Sequence, residues 1–433
     1  MRYTKALRSA ANSFDAEPGP WLEKRDFGTP WFQRKAMNRQ SFFTFQALVF
    51  GLVAAALTTV YITQPVLPVI QQEFGVSPSQ ASYTVSAVIL GIALANLPFG
   101  MLADRFPVQR LILVGGAVVA ACGFFCAATS SLALLVGARF VQGLFVPALT
   151  TCLAAYLSTN LPLERLNVAM GSYVSATVAG GLGGRLLGGF IHPPLHWRYA
   201  FITASLLVVA ATLAAVRWLP AGKLAEKRLP AADGFLALLS QPGLRRAFTV
   251  AFGGFFVFSS IFNYLPFYLH RPPFNASTGF ITLLYLTYVV GIFIGPVAGQ
   301  LSNRIGNGST MVLGSLVFAL AIALTLIKSI FAIVAALVLV CAGFFSIHAA
   351  AAGSLNRNLT GSRGRANSLY VLAYYLGGAA GITLSGYAYG QAGWPGVAAL
   401  GLMMLTVPLV TGLREMRQPA APEKSGEKLS PGV

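Results

Sequence analysis

Long apolar runs constrain this chain more than any other feature of its sequence. They follow one another between Phe42 and Leu413, separated by short polar or Gly/Pro-rich breaks. A helix that spans a bilayer needs about 20 consecutive apolar residues, so the runs leave room for roughly a dozen. Only 10% of the residues are charged, whereas soluble domains carry about 25%. These features exclude a soluble enzyme and predict an all-α polytopic membrane protein.

The predicted spans form two groups of six, separated by a charged stretch. The first six cover residues 42–70, 80–103, 111–130, 132–157, 166–191 and 197–219. The second six cover residues 247–269, 278–301, 311–327, 331–356, 366–391 and 397–413. We therefore predict 12 transmembrane helices arranged as two parallel six-helix repeats. The predicted regions are an N-terminal tail (1–41), an N-terminal bundle (42–219), a linker (220–246), a C-terminal bundle (247–413) and a C-terminal tail (414–433).

The basic residues predict how these helices are oriented. Of the 30 Lys and Arg residues, Arg139 and Arg185 lie inside spans, and Arg198, Arg271 and Lys328 fall in the loops of one side. The others lie on the opposite side, which is the cytoplasmic side by the positive-inside rule. Both termini and the linker are thus predicted to be cytoplasmic, in a bacterial inner membrane or plasma membrane. Because the +18 charge is spread over these loops, no nucleic-acid partner is expected.

The N-terminal tail contains a second possible start. Met37 immediately precedes the first predicted span. The sequence therefore leaves open whether residues 1–36 belong to the native protein or arise from a start-site artefact.

A loop motif occurs in both halves of the chain. The segment Gly100–Arg105 (GMLADR) follows the second predicted span, and Gly299–Arg304 (GQLSNR) follows the eighth. Parallel six-helix repeats place a substrate site at the interface between the halves, near the membrane midplane. The repeated organisation therefore indicates alternating access.

At these residues the chain resembles the major facilitator superfamily, over about residues 42–413. A second family pattern, in the fourth predicted span, is met by Leu135, Arg139, Gln142 and Gly143. The resemblance implies secondary transport without a cofactor. It also implies that the cytoplasmic gate is formed by the motif residues Gly100, Asp104 and Arg105, with Asn303 and Arg304 at the matching places of the second repeat.

The fifth predicted span is rich in glycine. Gly180, Gly184 and Gly188 recur at four-residue spacing, and Arg185 stands where the similar glycine-rich antiporter pattern has proline. Such spacing allows close packing on a partner helix, and a role in coupling is the other possibility. The nearest resemblance is to the YnfM-like, acriflavin-sensitivity branch near the drug:proton antiporters, which implies proton-coupled efflux.

The charged residues inside the predicted spans indicate the charge of the substrate. None of the 12 acidic residues lies within a predicted span, so a central cavity is expected to be net positive. Arginines favour carboxylate, phosphate or other anionic groups. Uptake of an organic anion is therefore the alternative to efflux.

Candidate substrate or coupling residues are polar or aromatic side chains within spans. Some share a helix face at neighbour spacing, although each tyrosine is as readily explained by packing or by an interfacial belt. His348 suits proton exchange because the unperturbed pKa of imidazole is about 6.5, and a hydrogen-bonded core histidine is the alternative. The full set is Tyr61, Gln64, Arg139, Gln142, Arg185, Asn263, His348, Tyr370 and Tyr374.

Other activities find little support in the sequence. The four cysteines lie inside apolar runs, where they pack as small hydrophobes, so neither a metal nor a disulfide is expected. No phosphate-binding glycine-lysine loop is present, so ATP is not expected to drive transport directly. A membrane enzyme lacks a clustered acid and base, and a transporter-like sensor lacks an output domain. The expected partners are a small-molecule substrate, protons and the bilayer, with the chain as a monomer.

Overall fold

Because lipid offers no hydrogen bonds to the backbone, a chain this apolar must satisfy its peptide groups within helices. The computed structural model describes residues 39–222, 235–357 and 363–417, and the regular elements of this part of the chain are all helical. The first half contains α1 (Arg39–Tyr61), a 3₁₀ turn (Gln64–Val66), α2 (Leu67–Phe74), α3 (Pro78–Ala103), α4 (Val108–Ala128), α5 (Leu132–Leu149), α6 (Thr151–Asn160), α7 (Leu163–Ile191) and α8 (Arg198–Trp218).

The second half follows the same pattern. It contains α9 (Phe235–Ser240), α10 (Pro242–Leu269), α11 (Thr278–Leu284), a 3₁₀ turn (Tyr285–Tyr288), α12 (Val289–Ile305), α13 (Asn307–Leu324), α14 (Ile330–Arg357) and α15 (Arg363–Met416). The predicted linker 220–246 therefore includes α9 and the first residues of α10. Residues 1–38, 223–234, 358–362 and 418–433 lie outside the described part, and with them most of both predicted tails.

The number of membrane crossings depends on α15. Eleven segments of the described residues are long and apolar enough to cross a membrane, and the last of them has 52 residues. A continuous helix of that length would reach about 80 Å, more than twice the hydrocarbon core. Gly393 interrupts α15 with φ 60° and ψ −145°, a conformation that glycine tolerates best. The segment therefore supplies two crossings, and the predicted all-α fold with 12 of them is confirmed.

Three of the spans predicted as continuous helices are interrupted. The first is broken between α1 and α2, where Pro65 and Pro68 lack the N–H that a continuing helix needs. The fourth is broken at Thr150, between α5 and α6. The eighth changes to the 3₁₀ turn Tyr285–Tyr288 between α11 and α12.

The two ends of the bundle differ. Consecutive helices alternate in direction, so Gly100–Arg105 and Gly299–Arg304 lie at one end, here named the motif end. At the opposite end, named the closed end, the halves contact each other. There the Asn263 amide donates a hydrogen bond to the Ser82 hydroxyl at 2.8 Å, and the side chains of Gln72 and His270 are 3.3 Å apart.

The glycines of α7 lie against α1. A Cβ built on Gly180, Gly184 or Gly188 would lie 2.5, 2.2 or 1.9 Å, respectively, from a backbone carbonyl oxygen of α1 or of the residue that follows it. The three oxygens belong to Ala54, Thr58 and Ile62, which share the same four-residue spacing. Only glycine permits this approach, and it fixes the position of Arg185, which lies on the same helix.

Candidate functional site

A cavity of about 780 Å³ lies between the two halves, within the size range typical of small-molecule sites. The first half contributes α1 and α7, and the second half contributes α10, the 3₁₀ turn Tyr285–Tyr288, α12, α14 and α15. Along α7 the lining extends from Arg185 back to Met170, near the start of the helix. The cavity therefore runs from the middle of the bundle toward the motif end.

Arg185 forms the inner end of this cavity. Its side chain is only 2% exposed. The guanidinium Nε donates to the Gln64 side-chain oxygen at 2.7 Å, Nη1 to the Gly181 carbonyl at 2.7 Å and Nη2 to the Tyr288 hydroxyl at 2.8 Å. Among the described residues these bonds leave one N–H on each of Nη1 and Nη2 without a partner. Such a pair of donors suits bidentate binding of a carboxylate or phosphate.

Aromatic rings enclose the same guanidinium. Its central carbon lies 3.9 Å from the ring centroid of Tyr61 and 4.3 Å from that of Tyr288, with Tyr285 at 5.5 Å. The negative faces of the rings stabilise the cation. The rings also restrict the directions from which a ligand can approach the guanidinium.

Two interrupted helices meet at Arg185. Gln64 begins the 3₁₀ turn between α1 and α2, and Tyr288 ends the turn between α11 and α12. Transporters commonly build their sites from discontinuous helices, because the break exposes polar groups at the midplane. The cluster of Tyr61, Gln64 and Arg185 joins residues that the sequence singled out. Tyr285 and Tyr288 were missed because no proline marks their turn.

Stacked aromatic side chains form the wall of the cavity in the second half. The rings of Phe255 and Tyr374 are 3.8 Å apart and nearly parallel at 11°. Those of Phe258 and Phe344 are 4.0 Å apart at 21°. This wall offers a flat apolar surface to the body of a substrate.

His348 lines the cavity on α14, next to that wall. Its Nδ1 lies 3.0 Å from the hydroxyl oxygen of Tyr370, and its ring centroid is 5.3 Å from that of Tyr374. The structure thus brings together the three predicted residues of α14 and α15. Tyr370 is not among the residues that line the cavity, but its hydroxyl contacts His348, which is.

Arg139 and Gln142 lie elsewhere, buried inside the first half. The Arg139 guanidinium donates to the carbonyls of Thr59, Val60 and Thr84 and to the Gln142 side chain. Gln142 in turn donates to the Val119 carbonyl at 3.0 Å. Neither is among the residues that line the cavity.

The remaining candidates lie at the two ends of the bundle. Asn263 is buried at the closed end, where its Oδ1 has no hydrogen-bond partner among the described residues. Asp104, Arg105, Asn303 and Arg304 are exposed at the motif end, with Gly100 half-buried beside them. The structure therefore separates the motif residues from the cavity.

The described part of the chain places no carboxylate in the cavity. Its acidic residues are Glu73, Asp104, Glu164 and Glu415, and none of them lines the cavity. Among the described residues there is also no cluster of three or more His, Cys, Asp or Glu side chains that could hold a metal. Arg185 is thus the permanently charged residue among the described residues that line the cavity.

The sequence profile of the Major Facilitator Superfamily matches residues 49–347 and, in a second overlapping match, residues 273–431. The chain belongs to the major facilitator superfamily. Its relatives in this superfamily include the inner membrane transport protein YnfM of Escherichia coli (strain K12). YnfM is 28% identical over 409 residues, covering 93% of this chain and 94% of that protein. The uncharacterized MFS-type transporter YybF of Bacillus subtilis (strain 168) is 26% identical over 395 residues, covering 89% of this chain and 97% of YybF.

Solved structures show the same fold. A bacterial homolog of the human lysosomal transporter Spinster, in an inward-facing and unoccupied conformation, superposes with a TM-score of 0.70 at 15% identity, covering 89% of this chain and 99% of that one. The human organic anion transporter MFSD10 (TETRAN) superposes with a TM-score of 0.65 at 19% identity, covering 86% and 99%. The protein is therefore a multi-pass membrane transporter of this superfamily.

Proposed function

We propose that this chain moves a small organic solute with a negatively charged group, an anion or a zwitterion, across the inner or plasma membrane by alternating access. The observation that carries the proposal is Arg185, a permanent cation at the inner end of a cavity whose described lining holds no carboxylate. The aromatic wall of α10, α14 and α15 suits a flat apolar body attached to that group.

The charge balance favours an anion over a cation. A cationic solute 4 Å from a guanidinium would lose roughly 4 kcal/mol of Coulomb energy at an effective dielectric constant near 20, and an anion would gain a similar amount before desolvation. The N–H edge of Arg185 also offers donors that a cation cannot use. The transported solute therefore carries at least one carboxylate, phosphate or related group.

The sidedness follows from the basic residues. The motif end carries Arg105 and Arg304, and the positive-inside rule assigns such an end to the cytoplasm. The cavity then opens to the cytoplasm in this conformation. Cytoplasmic opening is the state that loads a substrate for efflux and releases one after uptake.

Both directions of transport have support. Resemblance to the acriflavin-sensitivity branch supports proton-coupled efflux, with protons moving against the solute. The lack of a carboxylate in the described cavity lining supports the second candidate, uptake of an organic anion. Arg185 binds the substrate in both schemes.

A matched set of ligands tests the substrate charge. Benzoate, benzamide and benzamidine share one shape and differ in charge, and the naphthalene series 2-naphthoate, 2-naphthamide and 2-naphthamidine enlarges the apolar body. We expect direct binding to the purified transporter to rank anion above neutral above cation. Arg185→Gln should abolish this preference, while Arg110→Gln, a matched change at an exposed site of α4, should leave it intact. Saturable amidine binding that survives Arg185→Gln would replace this proposal with a cation carrier.

A further inference from the structure

His348 is the one residue of the described cavity lining that carries an imidazole, the side chain whose ordinary pKa lies closest to neutral pH. The other ionisable lining residues are Arg185 and tyrosines, and these do not change charge between pH 5 and 8. An unperturbed imidazole titrates near pH 6.5. A proton that enters this cavity from water therefore has His348 as its binding group.

Tyr370 can accommodate both protonation states of His348. Its hydroxyl oxygen lies 3.0 Å from Nδ1 and 3.4 Å from the backbone carbonyl oxygen of the same histidine. When Nδ1 is bare, the hydroxyl donates to it. When Nδ1 carries a proton, Nδ1 donates to the hydroxyl oxygen, and the hydroxyl turns its own hydrogen to the carbonyl. Neither state leaves a buried donor facing a donor.

The charges around His348 determine when it is protonated. The helix α15 presents Tyr370, Tyr374 and Tyr375, and the 3₁₀ turn before α12 presents Tyr288. The described residues of α10 that line the cavity are Phe255 and Phe258, and α13 contains no ionisable side chain. Across the cavity stand Arg185 and Tyr61. No negative charge in the described lining balances a second cation.

We propose that His348 binds a proton together with the anionic substrate, so that the solute and the proton move in the same direction. The inference rests on the proposed function. In the empty cavity a protonated imidazole would add a second positive charge to the lining that already contains Arg185. An anion bound at Arg185 supplies the missing negative charge and favours the protonated ring. Because linkage is reciprocal, the proton must strengthen anion binding by the same factor.

The sign of this coupling differs from that of an antiporter. An antiporter binds proton and solute alternately, so solute binding releases a proton. In the proposed co-transport, solute binding takes up a proton. With a proton gradient directed into the cell, co-transport drives uptake of the anion. With a steep outward gradient of the anion, the same cycle runs outward and carries the proton with it.

Isothermal titration calorimetry of the wild-type transporter with 2-naphthoate and benzoate tests both proposals at once. At pH 7.5, titrations in buffers of different ionisation enthalpy give the number of protons exchanged for each anion bound. We expect a net uptake of protons, at most one for each anion bound, and an affinity that weakens with rising pH by up to about tenfold per pH unit. His348→Gln should bind the anion without proton uptake. Tyr370→Phe should reduce the uptake, because the hydroxyl oxygen that accepts a hydrogen bond from protonated Nδ1 is gone.

Controls separate the possible failures. His196→Gln changes an exposed histidine at the closed end and should keep the wild-type proton count. Proton release on binding, no proton exchange, or uptake that persists in His348→Gln would overturn the co-transport inference while leaving the anion site in place. If neither carboxylate binds to the wild type, the proposed function itself fails. If His348→Gln misfolds, the proton count and pH dependence of the wild type still decide the sign of coupling.

Discussion

At the scale of single residues, the two buried arginines have different surroundings. Arg185 faces the cavity, whereas Arg139 is enclosed by backbone. Helix α1 ends at Tyr61, so its last carbonyls have no partner within the helix. Arg139 donates to two of them, on Thr59 and Val60. A cation at a helix C-terminus also interacts favourably with the helix dipole. Arg139 thus caps the broken end of α1.

This difference predicts that mutation of Arg139 chiefly lowers stability, whereas mutation of Arg185 chiefly lowers anion binding. Arg139→Leu removes the donors and leaves buried carbonyls unsatisfied, which costs about 1–3 kcal/mol for each group. We expect a clear fall in the melting temperature of the detergent-solubilised protein, measured by intrinsic fluorescence. Arg185→Gln should lose anion binding with a smaller change in melting temperature. A stable Arg139→Leu protein with weakened binding of 2-naphthoate would instead place Arg139 in the substrate site.

The sequence predicts part of the site at this scale. The i, i+3 spacing of Tyr61 and Gln64 predicted that these two side chains lie close together, although the helix breaks between them. The packing of α7 on α1, which brings Arg185 to them, is a tertiary contact that local spacing does not contain. The i, i+3 spacing of Arg139 and Gln142 could have indicated that these two side chains bond to each other inside the first half. Tyr288 could not be predicted, because its contact with Arg185 joins residues 103 positions apart across the two halves.

At the scale of helices, the packing of α7 on α1 is a specific prediction. A Cβ on Gly184 would lie 2.2 Å from the Thr58 carbonyl oxygen, while a Cβ on neighbouring Gly183 would meet the Thr58 hydroxyl at 3.4 Å. Gly184→Ala must therefore push the helices apart, at a cost of about 1–3 kcal/mol. Gly183→Ala should be neutral or slightly stabilising, because alanine favours helix.

Thermal unfolding of the two alanine variants checks this. We expect Gly184→Ala to unfold at a lower temperature than Gly183→Ala and to bind 2-naphthoate more weakly, since Arg185 moves with α7. Equal melting temperatures for the two variants would show that α1 and α7 pack more loosely than in this structure.

The sequence marks some of the helix breaks but not others. Pro65 and Pro68 mark the end of α1 in the sequence. Gly393 lies between the last two predicted spans, so the division of α15 was anticipated. The turn Tyr285–Tyr288 has no such marker, since it contains neither proline nor glycine. Packing against the other half is a tertiary effect that local pattern does not contain.

At the scale of the whole molecule, the basic residues predict the topology. Both termini and the linker 220–246 should be cytoplasmic. A green fluorescent protein fused after the C-terminus should fluoresce, and alkaline phosphatase fused after Leu219 should be inactive. Active phosphatase at that position would reverse the sidedness and, with it, the assignment of the cavity opening to the cytoplasm.

The motif end predicts how the transporter changes state. In this conformation the halves meet at the closed end, and Asp104 is exposed at the C-cap of α3. A carboxylate at this position can accept charge-assisted hydrogen bonds from a helix N-terminus or an arginine once the motif end closes. Such bonds contribute about 1.5–3 kcal/mol. We therefore predict that Asp104 stabilises the conformation closed at the motif end; the second repeat, with Asn303, lacks an equivalent charge.

Asp104→Asn should accordingly favour the conformation that is open at the motif end. We expect turnover in proteoliposomes to fall by on the order of tenfold, the lower end of what one lost charge-assisted hydrogen bond predicts, while affinity for 2-naphthoate measured on the open state stays unchanged. Asn303→Asp is the matched reciprocal change, and it should leave affinity unchanged as well. Spin labels on the ends of α3 and α15 at the motif end should show a longer mean distance in Asp104→Asn than in the wild type. Normal turnover with altered affinity would contradict this, because it would mean that Asp104 acts on the bound substrate and not on the closing of the motif end.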